Sequence, residues 1–349
     1  MFCSYNSYRR STDIMNTVLH RTSKDAIKTR TVADFVEGYG NDISDHIKEL
    51  AVEILEENHF NTTMLTPHNE ESLPKSIKRS VTQADGQEKL VKEQAVRDIV
   101  KGINSGRETR EQINRPELIS EVEYSESGCC YISIDDIGVK HQKDMRKDGG
   151  SKTGKYIENT VIHVQVDGRC YHLTTIGMQN AFAVLMAFLL KNHLMENRRL
   201  VFLADGAKDI LNHIEAHFTF CAHSVILDWY HLKKKCKELI SSSVNGKKEE
   251  KQLIIQSLLR MLWVGNVGEA ISYLGSFDDK MVKSAYWLGE LTGYLDRKRS
   301  QIVCYALREK LGLRISSNRV EKDNDMLVAE RQKHNGMSWS GKGSGALAA

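Results

Sequence analysis

The sequence predicts an α/β core behind a mainly helical N-terminal region, and two observations predict it. From about residue 128 the chain turns to short apolar or alternating runs of strand length, and from residue 179 such runs take turns with helical stretches. The order that results is strand-strand-strand-helix-strand-helix-strand-helix, in which an antiparallel start leads into parallel strands.

The first part, to about residue 125, reads as helices joined by polar linkers. Its clearest helix follows Ser44-Asp45, an N-cap pair, with Ile43, Ile47, Leu50, Ala51, Ile54 and Leu55 on one stripe. Amphipathic stretches flank Gly38-Tyr39-Gly40, so residues 12–58 fit a helix-turn-helix and a plain helical packing module equally well. Residues 60–90 are polar, without a clear period, and read as a linker. Strands are then expected at 130–137, at Thr160–Asp167 and at Cys170–Ile176, the last two joined by an Asp167-Gly168 hairpin turn. A long apolar helix spans Gln179–Leu194, followed by a strand at 199–204 and a helix from Lys208 to about His217. A strand at His223–Asp228 and a helix from Tyr230 complete the pattern. Residues 232 to about 315 read as helical throughout, with Leu253, Ile254, Leu258, Leu259, Leu262 and Trp263 among the apolar positions. The expected divisions are 1–125, 126–231, 232–315 and 316–349.

Composition narrows the partners. Charged residues at 27% and hydrophobic ones at 40% describe an ordinary folded protein. A net charge of +3 is too small for histone-like binding, so any nucleic-acid contact must use local basic clusters. The 7 cysteines form no CxxC pair, their number is odd, and no export signal or membrane span is visible, so a reduced, cytoplasmic protein is expected.

Three acids draw the eye: Asp135, Asp205 and Glu321. Asp135 interrupts the alternating run Cys130-Tyr-Ile-Ser-Ile134, where an unpartnered carboxylate would cost several kcal/mol. Asp136 points to the other face, and parity alone does not choose between the two. Asp205 ends the run Leu200–Ala204, although Asp-Gly is also a frequent turn. Glu321 opens a helix, where Asn318-Arg-Val-Glu321 reads equally well as a capping box. Asp228 closes the last strand three residues before His231, a pair that can steady a phosphate or flank a metal, or be merely an N-cap and a surface histidine. Carboxylates so placed can converge on two Mg²⁺ ions about 4 Å apart for in-line attack on phosphorus.

Other signals are weaker. Gly149-Gly-Ser-Lys-Thr-Gly-Lys155 imitates a phosphate loop, but Tyr156 replaces the needed Ser or Thr. His213, His217, Cys221 and His223 are metal ligands by type without finger spacing. The basic residues Lys140, Lys143, Arg146, Lys147, Lys152 and Lys155 follow the first strand, and Lys233, Lys234 and Lys237 follow His231. Both groups flank the acids, which favours phosphate contact over a merely solvated face.

Ile134-Asp135-Asp136, Leu203-Ala-Asp205-Gly206, Leu227-Asp228-Trp-Tyr-His231 and Ser316-Ser-Asn-Arg-Val-Glu321-Lys322 together resemble the motif series of bacterial insertion-sequence DDE transposases with a helical insertion. The ending Arg331-Gln-Lys333-His-Asn-Gly336-Met-Ser-Trp339 is similar to theirs, and the resemblance covers roughly residues 128–345. It implies a ribonuclease H-like mixed five-stranded sheet in which the first and fourth strands adjoin, and it favours Asp135 over Asp136 as the first acid. It further implies Asp135, Asp205 and Glu321 as ligands of two Mg²⁺ or Mn²⁺ ions, with Asp136, Asp228 and His231 in support. The implied activity is DNA cleavage and joining at transposon ends and target, by a homo-oligomer when bound to DNA. The alternatives are a resolvase-like nuclease without strand transfer and a remnant that only binds DNA.

Overall fold

The computed structural model describes residues 7–69, 71, 73, 77, 86–115, 128–142, 154–221, 223–333 and 337–348. The sheet is built from β1 (Cys129–Lys140), β2 (Tyr156–Val166), β3 (Arg169–Ile176), β4 (Arg199–Ala204) and β5 (His223–Leu227). Their order is β3-β2-β1-β4-β5. The β1–β2 and β2–β3 pairs are antiparallel, while β1–β4 and β4–β5 are parallel. This is the ribonuclease H-like arrangement expected from the sequence. Asp167 and Gly168 both take positive φ (49° and 75°), as a two-residue hairpin turn between twisted strands requires.

Period-2 geometry splits β1 between two cores. Cys130, Ile132 and Ile134 face a cluster with Phe182, Leu185 and Phe202, under α4 (Met178–Lys191) and α5 (Lys208–His217). Cys129 and Tyr131 face the other side, packed with Val201, Leu203, Leu232, Leu239 and Tyr305. That second cluster belongs to the helical insertion, which follows β5. It comprises α6 (Trp229–Ser243), α7 (Lys248–Trp263), α8 (Val267–Gly275), α9 (Ala285–Arg297) and α10 (Tyr305–Lys310). The chain then returns to the sheet as α11 (Asn318–Asp323), which continues without a break through a π-helical segment, Asn324–Ala329, to Gln332.

Ahead of the sheet come α1 (Tyr8–Val18), α2 (Thr29–Glu57) and α3 (Gly86–Asn104). Here the structure corrects the sequence reading twice. Gly38-Tyr39-Gly40 is not a turn, because α2 runs straight through it; the break lies at residues 19–28. Ser44-Asp45 is likewise no N-cap but mid-helix. Gly40 is needed for another reason. The helix α12 (Gly341–Ala348) crosses α2 there, and a Cβ on Gly40 would run into the backbone of Ala346. Gly38, off that face, has open space around its Cα. Among the described residues no helix is long and apolar enough to cross a membrane.

This contrast yields a test. Ala is favoured over Gly inside a helix by roughly 1 kcal/mol. Gly38→Ala should therefore raise the melting temperature. Gly40→Ala should lower it, by an overpacking cost of about 1–3 kcal/mol that exceeds the helix gain. Equal shifts in thermal denaturation would show that α12 does not lie against α2.

Candidate active site

β1 outruns its parallel partner, and that exposes Asp135. The β1–β4 register ends at Ser133↔Leu203; continued two residues, it sets Asp135 beside Asp205, just past the end of β4 at Ala204. Asp135 lies on the β1 face shared with Cys129 and Tyr131, toward the insertion and α11. Its Oδ1 accepts from the Asp136 amide at 2.9 Å and its Oδ2 from Asn324 Nδ2 at 2.7 Å. Asp205 caps the turn into α5 by accepting from the Ala207 amide at 2.7 Å, with Gly206 at φ 94° making that turn.

The third acid arrives through Asp228. This carboxylate, 1% exposed, accepts at Oδ1 from the amide of His231 (2.8 Å), which caps α6, and meets His231 Nδ1 at 3.1 Å. Its Oδ2 accepts from the Ser317 amide at 2.6 Å and the Ser317 hydroxyl at 3.2 Å. Ser317 precedes α11, so this grip sets the start of the helix bearing Glu321. The Glu321 carboxylate lies 3.7 Å from His231 Nε2, and no side-chain bond caps α11; the capping-box alternative is therefore not what the structure adopts.

Burial, hydrogen bonds and neighbouring charges together set how these groups titrate. Burial, followed by the proximity of Asp205, Asp136 and Glu321, pushes the Asp135 carboxyl up to about 6, against the pull of the Asp136 amide. Burial would also raise Asp228, but bonds from His231 and Ser317 outweigh it and hold that carboxyl down to about 2. His231 moves up, chiefly through its bond to Asp228 and against its own burial, with Asp205 and Glu321 adding to the pull. Lys298, from the end of α9, donates to the Gly206 carbonyl at 3.1 Å; burial lowers its pKa, while Asp205 attracts its ammonium.

Asp135, Asp205, Glu321, Asp228 and His231 thus lie on one side of the sheet, near enough to act on one another's charge, although the oxygens of the three acids do not all come within 4.8 Å of one another. Asp136 does not join them: it faces the other way and accepts from its cross-strand partner Thr160 at 2.6 Å. Lys140 and Lys155 are exposed at the far end of the β1–β2 pair, while Lys143, Arg146, Lys147 and Lys152 lie outside the described residues. Lys234 and Lys237 are exposed on α6, and Lys233 lies with its ammonium 4.6 Å from the centre of the Tyr230 ring. The phosphate-loop imitation falls largely outside the described residues, and Tyr156 begins β2.

Of His213, His217, Cys221 and His223, only the two helical histidines meet, His213 Nδ1 lying 3.1 Å from His217 Nε2, and the four form no common ligand set. His217 bonds the Met64 carbonyl, and His223 and Cys221 turn to nearby carbonyls. The group that does converge, His163, His172 and Asp323, went unnoticed in the sequence, as did the roles of Asn324 and Ser317, while Lys298 was visible there only as part of the basic run Arg297-Lys298-Arg299.

No family model matches the chain, and no curated protein matches it either. Among solved structures, the Drosophila P element transposase strand transfer complex overlaps 85% of this chain and 83% of that chain at 10% identity, with a TM-score of 0.25. So loose an overlap adds nothing to the fold, which rests on the strand order and register given above.

Asp135 makes stability depend on pH. Its carboxyl titrates near 3.8 when unfolded and about 6 when folded, so the folded state holds the extra proton between those values. Stability then falls as pH rises through that window. In chelator, Asp135→Asn should gain on the parent between pH 4 and pH 7 by on the order of 1–3 kcal/mol. Urea unfolding at both pH values measures this; a gap that does not widen would mean that the folded state does not raise the Asp135 carboxyl.

Proposed function

We propose that the chain cuts and joins DNA as a DDE-type transposase, with Asp135, Asp205 and Glu321 as its metal-binding acids. The observation that carries this reading is that three carboxylates, distant in sequence, gather beside the Asp228–His231 pair on a sheet of ribonuclease H order. Burial, with the neighbouring acids adding to it, raises the Asp135 carboxyl to about 6, and a bound cation would offset both. All-oxygen donors suit Mg²⁺ or Mn²⁺. A pair of such ions, when bound, would activate the attacking water or 3′-hydroxyl and stabilise the leaving oxygen.

The remaining residues have separable tasks. Asp135 is aimed by the Asp136 amide and the Asn324 side chain, and Asp205 by the Ala207 amide. His231, favoured in its protonated form by Asp228, presents Nε2 beside Glu321, where it can donate to a phosphate oxygen or orient that carboxylate. The ammonium of Lys298 stands on the Gly206 carbonyl and supplies positive charge at the rim. Lys234 and Lys237, three apart on the exposed face of α6, are placed to hold the phosphate backbone.

Asp205→Asn removes a charge at constant volume. It should abolish Mg²⁺-dependent nicking of flanking DNA while leaving affinity for that DNA equal or higher, since the acids act on charge that develops in the transition state. Gel assays of cleavage and binding separate the two effects, and residual nicking by the variant would remove Asp205 from the site. If only binding is found in the parent, the chain is a DNA-binding remnant.

Replacing Lys234 and Lys237 together with Ala should weaken binding to all duplex sequences alike. The slope of log affinity against log salt should become shallower by about two. An unchanged slope would move the DNA path off α6.

A further inference from the structure

We propose that His163, His172 and Asp323 form a Zn²⁺ site, distinct from the three acids, that fastens the Glu321-bearing helix to the β2–β3 hairpin. His163 on β2 and His172 on β3 are direct cross-strand partners, with ring centres 5.2 Å apart. Asp323 on α11 brings one oxygen, Oδ2, to both rings: 2.6 Å from His163 Nδ1 and 2.9 Å from His172 Nδ1. The three ligand atoms lie within 4.8 Å of one another, and no other such trio occurs among the described residues.

Two imidazole nitrogens converge on one buried carboxylate oxygen, the donor set a transition-metal cation takes. The His163 ring is held through Nδ1 alone, since its buried Nε2 has no hydrogen-bond partner among the described residues, so Nδ1 is the nitrogen it offers. Zinc takes imidazole nitrogen and carboxylate oxygen at about 2.0–2.2 Å, which would spread the ligand atoms to roughly 3.4 Å apart. That needs side-chain shifts of less than about 1 Å from the observed contacts. Two nitrogens with one oxygen select Zn²⁺ over Mg²⁺, which prefers oxygen. The side chains of His163 and Asp323 are 6% and 8% exposed while that of His172 is 39% exposed, so the fourth position opens to solvent on the His172 side.

The site has leverage. Asp323 lies two residues after Glu321 and directly before Asn324, whose amide holds Asp135. An ion at Asp323 would therefore fix the roll of α11 and, with it, two of the three acids. Zinc binding itself does not rest on the DNA-cleavage reading.

The test uses the full chain, stripped with chelator and then titrated with Zn²⁺, alongside Asp205→Asn and His172→Gln. Expected are one tightly bound equivalent that survives dialysis, and a rise in melting temperature, in both the parent and Asp205→Asn. His172→Gln, altered at a half-exposed position and so expected to fold, should lose the thermal shift. Its Zn²⁺ affinity should fall by more than the about 100-fold that loss of an outer partner costs. Co²⁺ in place of Zn²⁺ should give visible absorption of a low-coordinate, nitrogen-ligated ion in the parent and not in His172→Gln. Zinc that binds His172→Gln as tightly as the parent, or that leaves the parent's melting temperature unchanged, overturns the proposal. Loss of the tight equivalent in Asp205→Asn would do so as well, by assigning zinc to the acids.

Discussion

One buried carboxylate sets the layout. Asp228 ends β5, caps α6 through the His231 amide and holds Ser317 by both amide and hydroxyl. Next to it, the Trp229 amide donates to the Ile315 carbonyl at 3.1 Å. Residues 229 and 316 are therefore neighbours, and the whole insertion leaves the sheet and returns at the same point. A segment tied at its base can be large without displacing the chain beyond it. The position of Glu321 thus depends on a short polar junction and not on the path of the helices between. Removing one partner from such a junction would leave a buried charge unpaired, which is strongly destabilising, so the junction is also a stability element.

The same geometry crowds acids that repel one another. Burial adds to that repulsion in raising the Asp135 pKa, while His231, drawn toward its protonated form, and the Lys298 ammonium lean in from α6 and the end of α9. Both groups come from the helical segment between β5 and α11, which therefore contributes polar partners as well as bulk. The covered face of β1 lowers the local polarisability, which makes the balance between acids and cations more sensitive to a bound ion.

Much of this was legible in the sequence, for identifiable reasons. Strand and helix order followed from apolar period, and the Asp167-Gly168 turn formed as its residue types require. Choosing between Asp135 and Asp136 was out of reach because β1 is covered on both faces, so apolar residues occupy both parities and alternation carries no sign. Gly40 misled because glycine commonly breaks helices, whereas here it admits the backbone of α12, from the opposite end of the chain. His163 and His172 could have been paired by folding the hairpin about Asp167-Gly168, which sets them opposite each other. Asp323 could not, since it meets them only through the return of α11.

The helix bearing Glu321 shows why so many of its neighbours are polar. Val320 and Val328 are buried and hold α11 and its π-helical continuation against the sheet, but apolar contacts of this kind resist rotation weakly. Polar bonds have direction. Asp323 reaches β2 and β3, Asn324 reaches β1, and Gln332 bonds Ser344 in the first half of α12, three anchors along one helix. The π-helical stretch from Asn324 to Ala329 adds a residue to the turn, and it lies between the Asn324 and Gln332 anchors. Glu321, by contrast, is exposed, with His231 at 3.7 Å as its ionic neighbour. Its carboxylate is placed by its neighbours' bonds.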